Sequence, residues 1–493
     1  MVQPTRPTDS TSSEGKFASF VDAILFQAAK EPNSPAIGTE TGVLTFGQLA
    51  DAIRSATAQC ELTGLRPRSL VGLIIGDPVW HICLIAALYR LGAVSVSLSA
   101  DEAALASTLD VAALLHNAAP PANYKGSRIL VEPTWFTAQP HAPSQAKPFA
   151  ASDLCRIALS SGTTGQPRPI AMNPQIVWDR LVTYSLRGSF ASSERIYCGP
   201  QLHSQFGFAI AFSALAYGKM VSFSNSAEGA LPVMSYFKTD LAIMSVYQFG
   251  RLVELQTKQF GGLGGLREIQ AGGSLISDTL LQRARACFPA KLVCTYASTE
   301  AGTIATASME QLRASQIDGA VGFITPWASV DVCDDNAQVM PQGREGNLRV
   351  RALGLAPFYQ AGMMRVEAPE FFSPGDVGRV LDNNMLVITG RTNELINIGG
   401  NKIAPERFEN VILQCTGVKD AAVFTVDIGS ALPQTWAAVV GDPSVSVAEI
   451  VKRCAETPTI GAPSVIKSVA KIPRNSTGKI LRDQLRRELT QKG

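Results

Sequence analysis

Two short apolar runs, Val71 to Ile75 (VGLII) and Ala93 to Leu98 (AVSVSL), flank a segment with apolar positions at Trp80, Cys83, Leu84, Ala87 and Leu88. Apolar residues three and four apart mark one face of a helix, whereas β-branched runs bounded by turn residues mark buried strands. The region therefore predicts a strand, a helix and a second strand, the unit from which parallel sheets are built. The alternation returns at Arg156 to Leu159, Met220 to Phe223, Leu241 to Met244, Glu268 to Ala271 and Lys291 to Cys294, each followed by turn residues or a helical pattern. We expect an α/β protein whose large amino-terminal body consists of mostly parallel sheets flanked by helices. Ligands in such folds collect at the carboxyl ends of the strands.

After about Gly390 the elements shorten. Pro405 suits a helix start, and Phe408, Val411, Ile412 and Cys415 follow at i, i+3, i+4 and i+7. Ala421 to Val426 and Thr435 to Val440 read as strands, and Leu481, Leu485 and Leu489 mark a closing helix. This predicts a small α+β carboxy-terminal domain over residues 394–493, after a body over 19–393. Residues 1–18 read as a flexible tail, because the opening MVQPTRPTDSTSSEGK is polar and lacks the apolar core of a secretory signal.

The chain has 493 residues, 46% of them hydrophobic, and a formal net charge of only +2. Such a balance gives no electrostatic reason to expect nucleic acid, so a small-molecule partner is favoured. The nine cysteines are scattered without a Cys-x-x-Cys pair, and His81, His116, His141 and His203 are equally dispersed. That pattern disfavours a disulfide scaffold or a zinc site, while a magnesium ion held by one carboxylate and a phosphate stays open. The most apolar stretch, Ile82 to Leu98, is interrupted by Arg90 and falls short of a membrane span. A cytoplasmic protein is expected.

The most informative segment is Leu159-Ser-Ser-Gly-Thr-Thr-Gly-Gln-Pro-Arg168, which runs from a predicted strand end into a loop with two glycines, four hydroxyls and a cation. Small residues let backbone N–H groups approach phosphate oxygens, hydroxyls add donors, and Arg168 adds a charge-assisted contact. The loop thus reads as a polyphosphate cradle, with a plain turn as the alternative. It is not a Walker A loop, since no Gly-Lys-Ser/Thr follows.

Five further segments follow in order: His203-Ser-Gln-Phe-Gly207, Tyr296-Ala-Ser-Thr-Glu300, Ser373-Pro-Gly-Asp376, Gly390-Arg391 and Pro473-Arg-Asn-Ser-Thr-Gly-Lys479-Ile-Leu-Arg482. With the loop, they resemble the ordered signatures of the adenylate-forming (AMP-binding) superfamily, which holds acyl-CoA synthetases, the adenylation domains of peptide synthetases and firefly luciferase. The resemblance spans roughly residues 20 to 490. It implies that Ser160, Ser161, Gly162, Thr163, Thr164, Gly165 and Arg168 surround the phosphates. Gly272, Gly273, Tyr296, Ala297 and Ser298 would complete the nucleotide site, with Asp376 and Arg391 at the ribose. Thr299 would donate to the α-phosphate. Glu300 would hold magnesium, which also resolves the repulsion between a carboxylate and a triphosphate. Lys479 would neutralise charge as a carboxylate attacks the α-phosphorus.

The same resemblance implies an acid-binding wall containing His203, Phe206, Gly207, Tyr247 and Ala271, a hinge at Asn393, and a thiol-facing turn at Gly399 and Gly400. Four positions depart from the family pattern: Arg168-Pro169 replaces the usual Lys-Gly, Ala297 a glycine, Pro374 a threonine and Asn393 an aspartate. None of these removes a group essential to adenylation. The implied function is an ATP-dependent carboxylate–CoA ligase, with ATP, Mg2+ and CoA as cosubstrates and cofactor. In it the carboxy-terminal domain first presents Lys479 and then rotates to admit the thiol. Two alternatives stand beside it: an adenylase that loads an acyl group onto a phosphopantetheine carrier protein, and a non-catalytic nucleotide-binding protein on the same fold. The aromatic and small residues around the implied pocket favour an apolar acid over an amino acid.

Overall fold

The predicted strand–helix–strand unit is present as Leu70–Ile74, Pro78–Leu91 and Val94–Ser97 in a computed structural model. It describes residues 19–117, 124–137, 149–160, 167–259, 263–274, 276–392, 394–398, 401–427, 433–457, 460–474 and 478–490. Local chemistry sets the helix ends. The Asp77 side chain accepts from the Trp80 N–H, Pro78 occupies the first turn, and Gly92 takes the left-handed conformation (φ 76°) that closes the helix.

This unit belongs to a six-stranded sheet in the order Ser127–Leu130, Ala113–His116, Leu70–Ile74, Val94–Ser97, Arg156–Ser160, Arg168–Met172. Its pairs are parallel except the last, in which Ser160 lies opposite Arg168. A second sheet of thirteen strands contains a parallel half built from Pro35–Thr39, Met220–Ser222, Arg195–Cys198, Leu241–Ser245, Glu268–Gly272 and Lys291–Ser298. From Gly302–Ser308 onward it continues antiparallel, through Ala320–Ile324, Met385–Arg391, Asp376–Val380 and Gly346–Ala352 to Ala328–Cys333. The parallel α/β core matches expectation. The antiparallel wing was not anticipated, because apart from the short helix Met309–Ser315 its strands are joined without a helical period for a pattern reading to find.

Helix Gln205–Ala216 packs between the two sheets, touching Arg156–Ser160 on one side and Arg195–Cys198 and Met220–Ser222 on the other. Its sequence, QFGFAIAFSALA, is apolar on every side below its first turn, as a helix buried between two layers must be. Its amino-terminal end opens towards the carboxyl ends of the strands, where the site lies.

Residues 396–490 carry two apolar cores of their own, one around Phe408, Val423 and Ile450 and one around Phe424, Ile472 and Leu485. A hairpin (Ile396–Ile398, Asn401–Ile403) leads into helix Pro405–Ile412. A three-stranded sheet of Val418–Val426, Gln434–Gly441 and Val465–Ser468 and helices Val447–Glu456 and Arg482–Thr490 complete this carboxy-terminal domain. The first helix ends three residues before Cys415, shorter than its apolar period suggests, because Gly417 (φ 79°) turns the chain into the next strand. Arg482 ties the domain together, donating to Glu394, Glu406 and Glu409 at 2.7 to 3.0 Å and to the Val423 carbonyl. No helix among the described residues is long and apolar enough to cross a membrane.

Candidate active site

A cleft of about 1280 Å³ lies between the body and the carboxy-terminal domain. Strand Arg156–Ser160 delivers Ser160 to it. The Ser160 hydroxyl is buried with no hydrogen-bond partner among the described residues. A buried, unpaired hydroxyl costs free energy unless a ligand engages it. Beyond the loop, the Arg168 guanidinium lies 4.7 Å from the centroid of the Phe358 ring and borders the same cleft. Ser161, Gly162, Thr163, Thr164 and Gly165 lie outside the described residues, as do Asn393, Gly399 and Gly400.

Two adjacent parallel strands form the opposite wall. Gly272 and Thr295 lie side by side, and a Cβ at Gly272 would sit 3.0 Å from the Thr295 carbonyl oxygen, so a side chain there would crowd the neighbouring backbone. Gly273 follows at φ +93°, a conformation that suits glycine. Tyr296, Ala297 and Ser298 end the neighbouring strand, and Thr299 and Glu300 form the turn before Gly302. The turn is fixed by a residue the sequence reading passed over. Arg180, buried in helix Pro174–Ser185, donates to the carbonyls of Thr299 (2.7 Å), Glu300 (2.5 Å) and Gly354 (2.8 Å). Burial pushes the Arg180 guanidinium down to about 10. An arginine on the face shared by Ile176, Val177, Leu181 and Tyr184 is the one signal that could have exposed it, since an unpaired cation does not belong there.

Glu300 is 5% exposed and lines the cleft, and its carboxylate is in no ion pair among the described residues. A hard divalent cation takes one or two carboxylates plus phosphate oxygens, so this single buried carboxylate fits magnesium brought in with a nucleotide. No cluster of three or more metal-ligating side chains occurs among the described residues.

Asp376 sits on the strand neighbouring that of Arg391, directly opposite it, and its carboxylate is held twice. Arg391 Nε forms an ion pair with Oδ1 at 3.0 Å and the Tyr296 hydroxyl donates to Oδ2 at 2.5 Å. Burial and the Asp376 carboxylate together hold the Tyr296 phenol well above its usual range. Three residues separated by up to 95 positions thus form one rigid polar corner.

Lys479 enters this corner from the carboxy-terminal domain and lines the cleft. Burial, reinforced by the positive charge of Arg391 and opposed by Glu394, lowers its ammonium to about 8. Gly478 makes the approach possible. At φ +84° it lies against Tyr247, and a Cβ there would fall 2.2 Å from the Tyr247 Cβ. Arg474 braces the loop by donating to the Gly478 carbonyl and to Asp420, both at 2.7 Å, with its guanidinium 5.8 Å from the Tyr247 ring centroid. Arg407 and Asp318 add an ion pair at 3.3 Å across the domain boundary.

Of the expected acid-binding wall, Phe206 and Tyr247 line the cleft. Ala271 is fully buried and does not reach it, because alternate residues of a strand point to opposite faces and Gly272 takes the cleft side. Gly207 also stays out. It permits close packing, since a Cβ there would lie 2.3 Å from the Gln201 carbonyl. His203 falls outside the lining too, near His81, Asp101 and Glu102, with burial lowering its imidazole and its Nε2 without a hydrogen-bond partner among the described residues. The turn before helix Gln205–Ala216 directs His203 away, and Gln205 takes the place beside Phe206.

Layered parallel strands ending at a cleft that a small carboxy-terminal domain covers define an α/β architecture with its ligand site at the strand ends. The sequence profile of the family described as AMP-binding enzyme matches residues 25–360, and the chain belongs to that family. Among curated proteins it is 22% identical over 475 residues to 2-succinylbenzoate–CoA ligase of Listeria monocytogenes serotype 4b (strain F2365), covering 92% of this chain and 96% of that protein. It is 23% identical over 493 residues to phenyloxazoline synthase MbtB of Mycobacterium sp. (strain MCS), covering 95% of this chain but 42% of that longer protein. Among solved structures, O-succinylbenzoate coenzyme A synthetase (MenE) from Bacillus subtilis, in complex with ATP and magnesium ion, superposes with a TM-score of 0.79 at 20% identity. That match covers 94% of this chain and 98% of the other.

Proposed function

We propose that the protein is an ATP-dependent carboxylate–CoA ligase acting in two half-reactions. The observation that carries this reading is the meeting of Lys479, brought by the carboxy-terminal domain, with Ser160, Glu300, Asp376 and Arg391 in one cleft. Phosphoryl transfer asks a protein chiefly for positioning and charge neutralisation, and these groups supply both.

In the first half-reaction a carboxylate oxygen of the acid attacks the α-phosphorus of ATP, and the bond to the pyrophosphate oxygen breaks, giving acyl-AMP and pyrophosphate. Asp376 accepts hydrogen bonds from the ribose hydroxyls, with Arg391 fixing the carboxylate. Thr299 and Ser160 donate to phosphate oxygens, and Lys479 neutralises charge between acid and α-phosphate. Glu300 would hold magnesium, which would supply positive charge to the triphosphate and the pyrophosphate leaving group. In the second half-reaction the carboxy-terminal domain (394–493) turns about position 393, withdraws Lys479 and admits a thiol. The sulfur bonds to the acyl carbon, AMP leaves, and the thiol proton passes to solvent. The ATP- and CoA-dependent chemistry, together with nine free cysteines, supports a cytoplasmic enzyme.

The likeness to phenyloxazoline synthase MbtB keeps a carrier protein's phosphopantetheine as the alternative acceptor. Pyrophosphate release over a panel of carboxylic acids, with AMP and thioester measured with and without CoA, tests the reading. Acid-dependent pyrophosphate release followed by CoA thioester supports it. Thioester on a carrier protein but none with CoA selects the alternative.

A further inference from the structure

Gln205 is a polar side chain that the nucleotide site leaves unexplained. It opens helix Gln205–Ala216 directly after the capping Ser204 and lines the cleft beside Phe206. The residue is 7% exposed, and neither its Oε1 nor its Nε2 has a hydrogen-bond partner among the described residues. Folding has removed water from a carboxamide and returned nothing, a cost that native proteins seldom carry without a use.

Nearby polar groups cannot serve Gln205, because they are committed elsewhere. The Thr183 hydroxyl donates to the Arg180 carbonyl at 2.8 Å, and the Arg180 guanidinium is spent on three backbone carbonyls. The Tyr184 ring carries the Arg187 guanidinium 4.0 Å from its centroid. The remaining wall here is apolar, formed by Phe206, Ala209 and the Tyr184 ring. An apolar wall with one convergent polar group is how a small-molecule pocket fixes the orientation of its ligand.

We infer that Gln205 is a specificity-determining residue that reads a neutral hydrogen-bonding group, a hydroxyl or an amide, on the acyl part of the acid. The inference rests on the adenylation reading above and names its substrate class. A carboxamide offers one acceptor and one donor pair, and a hydroxyl or amide answers both. A second carboxylate would need an uncommitted cation on this wall; Arg180 is spent on backbone carbonyls, and the Arg187 guanidinium lies over the Tyr184 ring, outside the cleft lining. A substrate ammonium would need a carboxylate on this wall; Glu268 is tied to Ser189 and Gln270 instead, and Glu300 belongs to the nucleotide end. A hydrocarbon acid would leave the carboxamide as it stands, unpaired.

The test compares matched acids on several carbon skeletons, each with a terminal hydroxyl, amide or methyl group, by pyrophosphate release from the full chain. Wild type should favour the hydroxyl or amide member by at least about tenfold in kcat/KM on the skeleton that fits, because a site built to bond a polar group rejects the analogue that lacks it. Gln205→Leu should bring the ratio to within about threefold of unity, with the KM for ATP unchanged. It should also raise the melting temperature, because it removes an unsatisfied buried amide. Methyl acids turned over as well as their polar partners, or selectivity retained in Gln205→Leu, would overturn the inference and leave adenylation standing. A Gln205→Leu protein that melts lower or fails to fold would assign the amide a structural role and also overturn it. No acid-dependent pyrophosphate from any member, with no shift in melting temperature on adding ATP, would overturn both readings.

Discussion

Gly478→Ala is the sharpest perturbation of the proposed adenylation geometry. The added Cβ would lie 2.2 Å from the Tyr247 Cβ and 2.8 Å from its Cγ, whereas ordinary contact begins at 3.4 Å. The lysine loop must therefore retreat by about 1.2 Å, and at φ +84° alanine adds roughly 1–2 kcal/mol of backbone strain. A displacement of about 1 Å in a catalytic group costs on the order of 100-fold, equivalent to about 2.7 kcal/mol of transition-state stabilisation. Acid-dependent pyrophosphate release should fall by about that factor. Thiolysis of supplied acyl-AMP, which does not use Lys479, should change by less than about threefold. Tyr247→Gly removes the colliding Cβ, so relative to that single variant the added Gly478→Ala should cost at least about tenfold less than it does in wild type. Equal loss in both half-reactions, or a Gly478→Ala enzyme with full adenylation, would refute the reasoning that the Gly478–Tyr247 contact seats Lys479.

Arg180→Met should lower stability by about 2–4 kcal/mol in denaturant unfolding. The carbonyls of Thr299 and Gly354 lose their buried donor and that of Glu300 keeps only the Ala356 N–H, a loss partly offset by removing a buried charge. It should also weaken ATP binding in calorimetry through the loosened Thr299–Glu300 turn, and unchanged stability would count against that role. The Lys479 ammonium, lowered to about 8, gives adenylation kcat/KM a basic limb, because the charge is lost as pH rises through that value. Thiolysis should lack this limb and quicken with pH as thiolate forms, so identical profiles would contradict the division of labour. The same shift makes the free chain gain stability between about pH 8 and 10.5, where the native state has released a proton that the unfolded state still binds.

Much of the site was legible in the sequence because its chemistry lies in short segments. Tyr296, Glu300, Asp376, Arg391 and Lys479 come from four separate stretches, and the fold places all of them around one cleft. The parallel core was legible for a related reason: buried strands and their crossover helices write different periods into the chain. What escaped depended on tertiary placement. Arg180 acts through backbone carbonyls 119 to 174 residues away, which leaves no local pattern. His203 and Gln205 lie on either side of the capping Ser204, and of the two Gln205 lines the cleft. Ala271 and Gly272 differ in the same way, through the alternation of a strand whose inward face no motif states.

The central claim, that this cleft joins a carboxylic acid to AMP under the control of Lys479, is tested most directly by trapping the mixed anhydride. The protein is incubated with ATP, magnesium and a panel of acids without any thiol, quenched and analysed by mass spectrometry, with Lys479→Ala in parallel. The account expects acyl-AMP in step with pyrophosphate for wild type and neither product for Lys479→Ala, which still binds ATP. ADP and phosphate as the products, or acyl-AMP formed equally by both proteins, would contradict it.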